Sequence, residues 1–272
     1  MRSLAFTVDL DRDVNEARPG QSGSVSHDCG QGCAPRFRSS QRGLELLCSL
    51  LEEMGLQATF FAESRTLREM GDSARCLEAH EVASHGVDHE DLTGEKSGVR
   101  LDEQELRRVL MQGREDIEDI VGRPPLGFRA PYQNVDGRVL DAVRDCGFLY
   151  DSSLTVPMDA GVLHPYRLEN GLWEFPVAES RDRNGKRIVS YLWPMHEQRR
   201  SPQDYQEMSD SLQEGLLVLA THTWHVVESF RHGPMDDRTV SKNLAGIRSV
   251  LEHALDRGMR PSTLGSLLNA DR

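Results

Sequence analysis

Residues 81–94, EVASHGVDHEDLTG, set a four-residue strand-like run directly against a polar loop carrying His85 and His89, four positions apart. A helical HExxH pair would put both imidazoles on one helix face, but position 86 is Gly, which disfavours a helix interior. The stretch therefore reads as strand, then turn, with an HxxxH pair that either converges on a metal or stands exposed beside Asp88, Glu90 and Asp91. A strand ending in polar residues is one step of a pattern that recurs along the chain, and that recurrence decides the fold.

Working outward, LAFTVD (4–9), QATFFAE (57–63), the strand inside PPLGFRAPY, FLYDS, WEFPV, RIVSYLW and LLVLATH (216–222) share the β-branched and aromatic character of strands. Helical spacing of apolar residues predicts helices between them. One spans 40–54, capped by Ser40 and stopped by Gly55, and another runs from the second strand to about Ala79. A third spans 102–121 and opens on the capping-box pair Asp102 and Glu105; others cover 136–146, 202–213 and 239–256. Strand–helix alternation predicts a parallel sheet, open or closed into a barrel. Asp9, His85, Arg129 and His222 all fall at the C-terminal ends of predicted strands, the edge where such folds build sites. Asp9 and Asp11 lie two apart, so in extended backbone both carboxylates can face one site.

The 272 residues fit one domain, 1–272, with a long aperiodic loop at about 12–40. A net charge of −12 argues against a nucleic-acid partner and favours a neutral or cationic substrate. No apolar run approaches the length of a transmembrane helix, and MRSLAFTVDLD does not read as a signal peptide. Five cysteines, odd in number and scattered, predict no disulfide framework and a cytoplasmic setting. HDCGQGC (27–33) offers His27, Cys29 and Cys33 as soft ligands for a second metal, but an ordinary glycine-rich loop is the preferred reading.

The ordered segments FTVDLD, ATFFAE, HEVASHGVDHE, FRAPY, YDSSL and LATH resemble the polysaccharide deacetylase (NodB-homology) family, over residues 4–222. The resemblance implies an α/β fold, a distorted (β/α)7-type barrel, with an N-deacetylase site around a divalent metal ion. By that likeness His85 and His89 are metal ligands, Arg129 orients the base, and His222 is the general acid. The first motif is Asp9-Leu10-Asp11 where the family usually has adjacent aspartates. It is similar to a branch holding intracellular peptidoglycan-deacetylase-like, allantoinase-like and lipid-deformylase proteins. That likeness makes Asp9 the base and Asp11 a ligand, with the reverse assignment open. Pro131 and Tyr132 complete the arginine motif, the Tyr132 amide being the implied oxyanion donor. Trp173 and Trp224 are candidates for a sugar-binding floor or for the core. The family's later aspartate, which supports the acid histidine, has no clear counterpart, and His225 competes with His222 for that role.

These residue types suit amide hydrolysis. A divalent cation polarises the carbonyl and brings the pKa of water down to about 7, a carboxylate takes the water's proton and an imidazole protonates the amine. The expectation is N-deacetylation of an N-acetylated amino sugar, as a glycan, a lipid-linked sugar or a small metabolite. Zinc is the expected metal, with Co, Ni, Fe or Mn also compatible. The alternatives are deformylation, cyclic-amide opening, or a non-catalytic carbohydrate-binding protein. A homo-oligomer is expected.

Overall fold

The first strand, β1 (Arg2–Leu10), sits at the centre of the sheet in the computed structural model, which describes residues 1–28, 30 and 32–268. β2 (Thr59–Ala62), β3 (Glu81–Ser84), β4 (Gly127–Phe128), β5 (Tyr150–Asp151) and β6 (Trp173–Glu174) follow on one side, and β8 (Glu214–His222) then β7 (Val177–Arg181) on the other. All are mutually parallel. β6 and β7 stand at opposite ends of that order, yet only Phe175 and Pro176 separate them in sequence. The sheet therefore curls on itself into a distorted barrel within a single α/β domain.

Side-chain alternation divides the strands into two faces. Leu4, Phe6, Val8 and Leu10 of β1 pack outward against α1 (Arg38–Met54) and the layer containing α5 (Asp237–Asp256), with Leu44, Leu47, Ile247 and Leu251 among their partners. Ala5 of β1 and Leu216, Val218 and Ala220 of β8 join the inner cluster with Phe61, Tyr150 and Phe175. Asp9 and His222 continue these inner rows, so both belong to the barrel mouth. Three further long helices are α2 (Glu103–Val121), α3 (Gly137–Asp145) and α4 (Pro202–Ser211). α2 opens with the expected capping box, and α1 ends at Gly55 in a left-handed conformation (φ +66°).

Three local expectations are corrected. α1 begins at Arg38, and Ser40 is inside its first turn instead of capping it. The acceptor comes from Asp13, whose carboxylate takes the Ser39 and Ser40 amides at 3.1 and 2.7 Å, which frees the Ser40 hydroxyl to bond the Asp11 carbonyl. The helix expected up to Ala79 is a short α-helix, Ser64–Glu69, followed by a 3-10 segment, Gly71–Ala79, with Gly71 at φ +52°. Cys48 and Cys76 form a disulfide joining α1 to that segment, against the expectation from cysteine count, because packing brings together two residues 28 apart.

The 12–40 loop is partly built. Asn15–Glu16 and Val25–Ser26 pair as a small antiparallel ribbon, and Arg12, Ser24 and Ser26 are buried. His27 contacts Glu16 at 3.2 Å and stacks on Phe230; Cys33 is a free thiol, and Cys29 lies outside the described residues.

Candidate metal centre and active site

Strand register assembles the site. Asp9 stands opposite His222, while Leu10, Ala62, Ser84 and the chain after Phe128 end on one rim. His85 and Arg129 each follow the last residue of a strand, and their amides still continue the ladder, to Ala62 O at 2.8 Å and Ser84 O at 2.9 Å. Gly86 then turns the chain at φ +81°, where a Cβ would lie 2.6 Å from the Glu90 carboxylate. That carboxylate accepts the Val87 and Asp88 amides and holds the loop shut. Asp88 is tied down by Arg12, which also pairs with buried Glu63. His85 and His89 are consequently 2% exposed, which rules out two solvated surface imidazoles.

Asp11, His85 and His89 each offer a ligand atom, and these atoms all lie within 4.8 Å of one another. His85 Nδ1 lies 2.7 Å from the Arg129 carbonyl; a carbonyl only accepts, so Nδ1 carries the proton and Nε2 presents a lone pair. His89 Nδ1 faces the Ser24 hydroxyl at 3.2 Å, and its Nε2 lies 3.4 Å from Asp11 Oδ2. Asn15 donates to Asp11 Oδ2, but Asp11 Oδ1 is buried with no partner among the described residues. Burial, with the neighbouring charges of Asp9 and Glu63, pushes the Asp11 carboxyl well above its ordinary pKa. An orphaned carboxylate oxygen beside two imidazoles fits a divalent cation, and this mixed nitrogen–oxygen set does not by itself select one metal.

Asp9 is held differently. Arg129 donates to Asp9 Oδ1 at 2.8 Å and to Thr7 Oγ1 at 3.0 Å, while its other nitrogens bond the Ser152 carbonyl and hydroxyl. Tyr191 donates to Asp9 Oδ2. Burial raises the Asp9 pKa, but Arg129, the two nearby histidines and Tyr191 outweigh it and hold the carboxyl below its usual range. His222 Nε2 is 3.8 Å from Asp9 Oδ2, and its Nδ1 is buried without a partner among the described residues. Burial pushes the His222 pKa down to about 3, so its ring is neutral at ordinary pH.

The remaining sequence candidates separate. Tyr132, left-handed at φ +60°, lines the pocket and stands edge-on to His89, and its hydroxyl bonds Ser24. Pro131 is buried where it opens that turn. Trp224 lies in an adjoining groove with His222 and His225. Trp173 is not at the site: it begins β6 opposite Tyr150, at the N-terminal end of the strands, beneath the Arg167 guanidinium. His225 is paired with Glu197 at 2.8 Å in the groove and does not line the pocket around Asp9. The sequence reading missed Tyr191, Ser24, Asn15, Trp193 and Glu197. Of these, Tyr191 and Trp193 had a visible signal, since both stand at the C-terminal end of the strand-like run RIVSYLW.

Together these groups define a parallel α/β barrel with a buried Asp-His-His cluster at its mouth and a second carboxylate clamped by an arginine. Residues 36–150 match the model of the polysaccharide deacetylase family. The chain is 27% identical over 158 residues to a peptidoglycan deacetylase-like protein of Gibberella zeae, covering 57% of this chain and 45% of that protein. It spans about half the length of the curated relatives it matches. Its fold is similar to a crystal structure assigned as a polysaccharide deacetylase from Mycobacterium smegmatis (TM-score 0.61, 22% identity, 96% of this chain and 93% of that one). It is also similar to that of Puue allantoinase (TM-score 0.63, 16% identity, 97% and 88%). The likeness to polysaccharide deacetylases thus covers residues 36–150 in sequence and nearly the whole chain in fold.

Proposed function

We propose that the protein is a metal-dependent hydrolase that removes the acetyl group from an N-acetylated amino sugar, with zinc the expected ion. One observation carries the reading: the ligand atoms of Asp11, His85 and His89 lie within 4.8 Å of one another, with Asp9 and His222 facing the same pocket. Asp11, His85 and His89 would hold the cation, which when bound supplies Lewis acidity toward the amide carbonyl and water.

Asp9 is the base. Arg129 keeps it ionised and Tyr191 fixes one oxygen, so it accepts the proton of the attacking water. His222 is neutral in the resting site, so the proton it gives the leaving amine is gained during the reaction. Asp9, 3.8 Å away, is the neighbour that has just acquired one. The carbonyl would be received beside the Ala130–Gln133 turn, which lines the same pocket.

The test combines metal content with turnover. Parent protein and the His85→Ala/His89→Ala variant are analysed for bound metals and for acetate and formate release from a panel of N-acylated amino sugars. About one metal per chain, with acetate release, both lost in the variant, supports the proposal. A parent that hydrolyses its substrate without metal overturns it.

A further inference from the structure

The pocket around Asp9 opens into a larger groove of about 750 Å³, and Asn15, Tyr132, Trp193 and His222 line both. The groove is built unlike the rest of the surface. Trp193 and Phe230, 38% and 39% exposed, are two of the few large apolar side chains left open to solvent. Lys96, Arg199 and Arg231 line it as well, and among the described residues none of them has a carboxylate partner. Arg199 lies over the Trp193 ring at 5.6 Å and Lys96 over the Tyr132 ring at 5.2 Å, so both cations are gathered onto the aromatic walls.

The two carboxylates in the groove are engaged. Glu16 contacts His27 at 3.2 Å, and Glu197 takes both His225 and the Phe230 amide, at 2.8 and 2.9 Å. In a chain with 44 acidic and 32 basic residues, three cations left unpaired in one groove run against composition. Against an overall charge of −12, the groove lining carries three cations and two carboxylates, a local excess of positive charge.

We propose that this groove is a subsite for a negatively charged substituent, a carboxylate or a phosphate, on the amino sugar whose amide enters the pocket. A ring face packs on Trp193 and Phe230 while Arg199, Arg231 and Lys96 receive the anion. This rests on the amide-hydrolase reading of the neighbouring pocket, and it names a substrate class opposite in charge to the one that net charge alone suggests.

The experiment compares N-acetylglucosamine with its 6-phosphate and with its 3-O-lactyl ether, so the two acids separate phosphate from carboxylate. The parent, Arg199→Ala/Arg231→Ala and the charge-retaining Arg199→Lys/Arg231→Lys are assayed at low and high salt. In the parent, kcat/KM for at least one acid exceeds that for the neutral sugar by about tenfold, the scale of one charge-assisted contact, and the advantage shrinks with salt. The alanine variant brings the ratio to about one and the lysine variant restores most of it. A parent ratio near one, or a ratio the alanine variant leaves intact, overturns the subsite. Should the parent turn over none of the three, the hydrolase reading fails separately, and calorimetric binding decides the groove. Tighter binding of an acid by the parent than by the alanine variant supports it, and equal binding removes it.

Discussion

Arg129 Nη1 donates to Asp9 Oδ1 at 2.8 Å with both side chains shut away from solvent, and the same guanidinium lies 4.1 Å above the Phe61 ring. Arg129→Met leaves a buried carboxylate with no counter-charge, which costs about 3–5 kcal/mol of stability. Burial then dominates and raises the Asp9 pKa. Since the proposed base is the ionised form of Asp9, the acid limb of the pH–rate profile should move to higher pH. Arg129→Lys moves it less. Urea denaturation and pH–rate profiles of both variants check this, and an unmoved acid limb in Arg129→Met would take the base role away from Asp9.

The unpartnered oxygen of Asp11 makes a second prediction. A cation that binds the folded chain at a hundred times its dissociation constant stabilises it by about 2.7 kcal/mol. Chelation therefore lowers the melting temperature, and added zinc, cobalt or manganese restores it. Asp11→Asn should abolish the response, as read by thermal melts with and without metal.

Ser24 reaches the site from a loop with no periodic pattern, contacting His89 Nδ1 and the Tyr132 hydroxyl. Removing such an orienting partner weakens metal affinity by about 10- to 100-fold. Ser24→Ala should show that loss in a competitive chelator titration while keeping its circular dichroism spectrum. Unchanged affinity would reduce the contact to packing.

His196 gives the pH dependence of stability. It is buried, with Nε2 on the Thr221 hydroxyl at 2.9 Å and Nδ1 unpartnered, and burial together with the nearby His225 and His222 drives its pKa well below 6.5. Below pH 6.5 the unfolded chain binds a proton that the folded one refuses. Stability is therefore full above that pH and falls beneath it, by about 1.4 kcal/mol per pH unit for each such group. His196→Asn should lower the slope between pH 6.5 and 5 by about one proton, measured by urea denaturation at stepped pH.

Gly43 in α1 has a Cβ position 1.9 Å from the Thr223 carbonyl oxygen. In an open helix alanine would gain about 1 kcal/mol over glycine. Here the close approach reverses the sign, and Gly43→Ala should cost about 1–3 kcal/mol and disturb the segment after His222. A denaturation midpoint shifted upward would contradict the contact.

The rim of the site was legible because it obeys strand periodicity. Asp9, His85, Arg129 and His222 each close a short apolar run, and parallel pairing brings such ends together whatever the loops do. Ser24, Asn15 and Glu197 were not legible, since each arrives on a segment whose path is set by tertiary contacts. Ser40 misled for the same reason: its helix is capped from Asp13, across a loop with no local signal. Trp173 was suggested by residue type alone, and its position at the start of a strand sends it to the opposite end of the barrel.

The ladder between β1 and β8 runs unbroken from Arg2↔Gly215 to Asp9↔His222. A slip of one residue would turn every side chain on a strand to its other face. Asp9 and His222 are thus inherited as a single unit, and no gradual sequence drift can alter their spacing while the barrel survives. The 12–40 segment and the wall from Trp193 to Phe230 carry no such constraint. Divergence among relatives built on this ladder should accumulate there, changing which molecule is admitted long before it changes what is done to it.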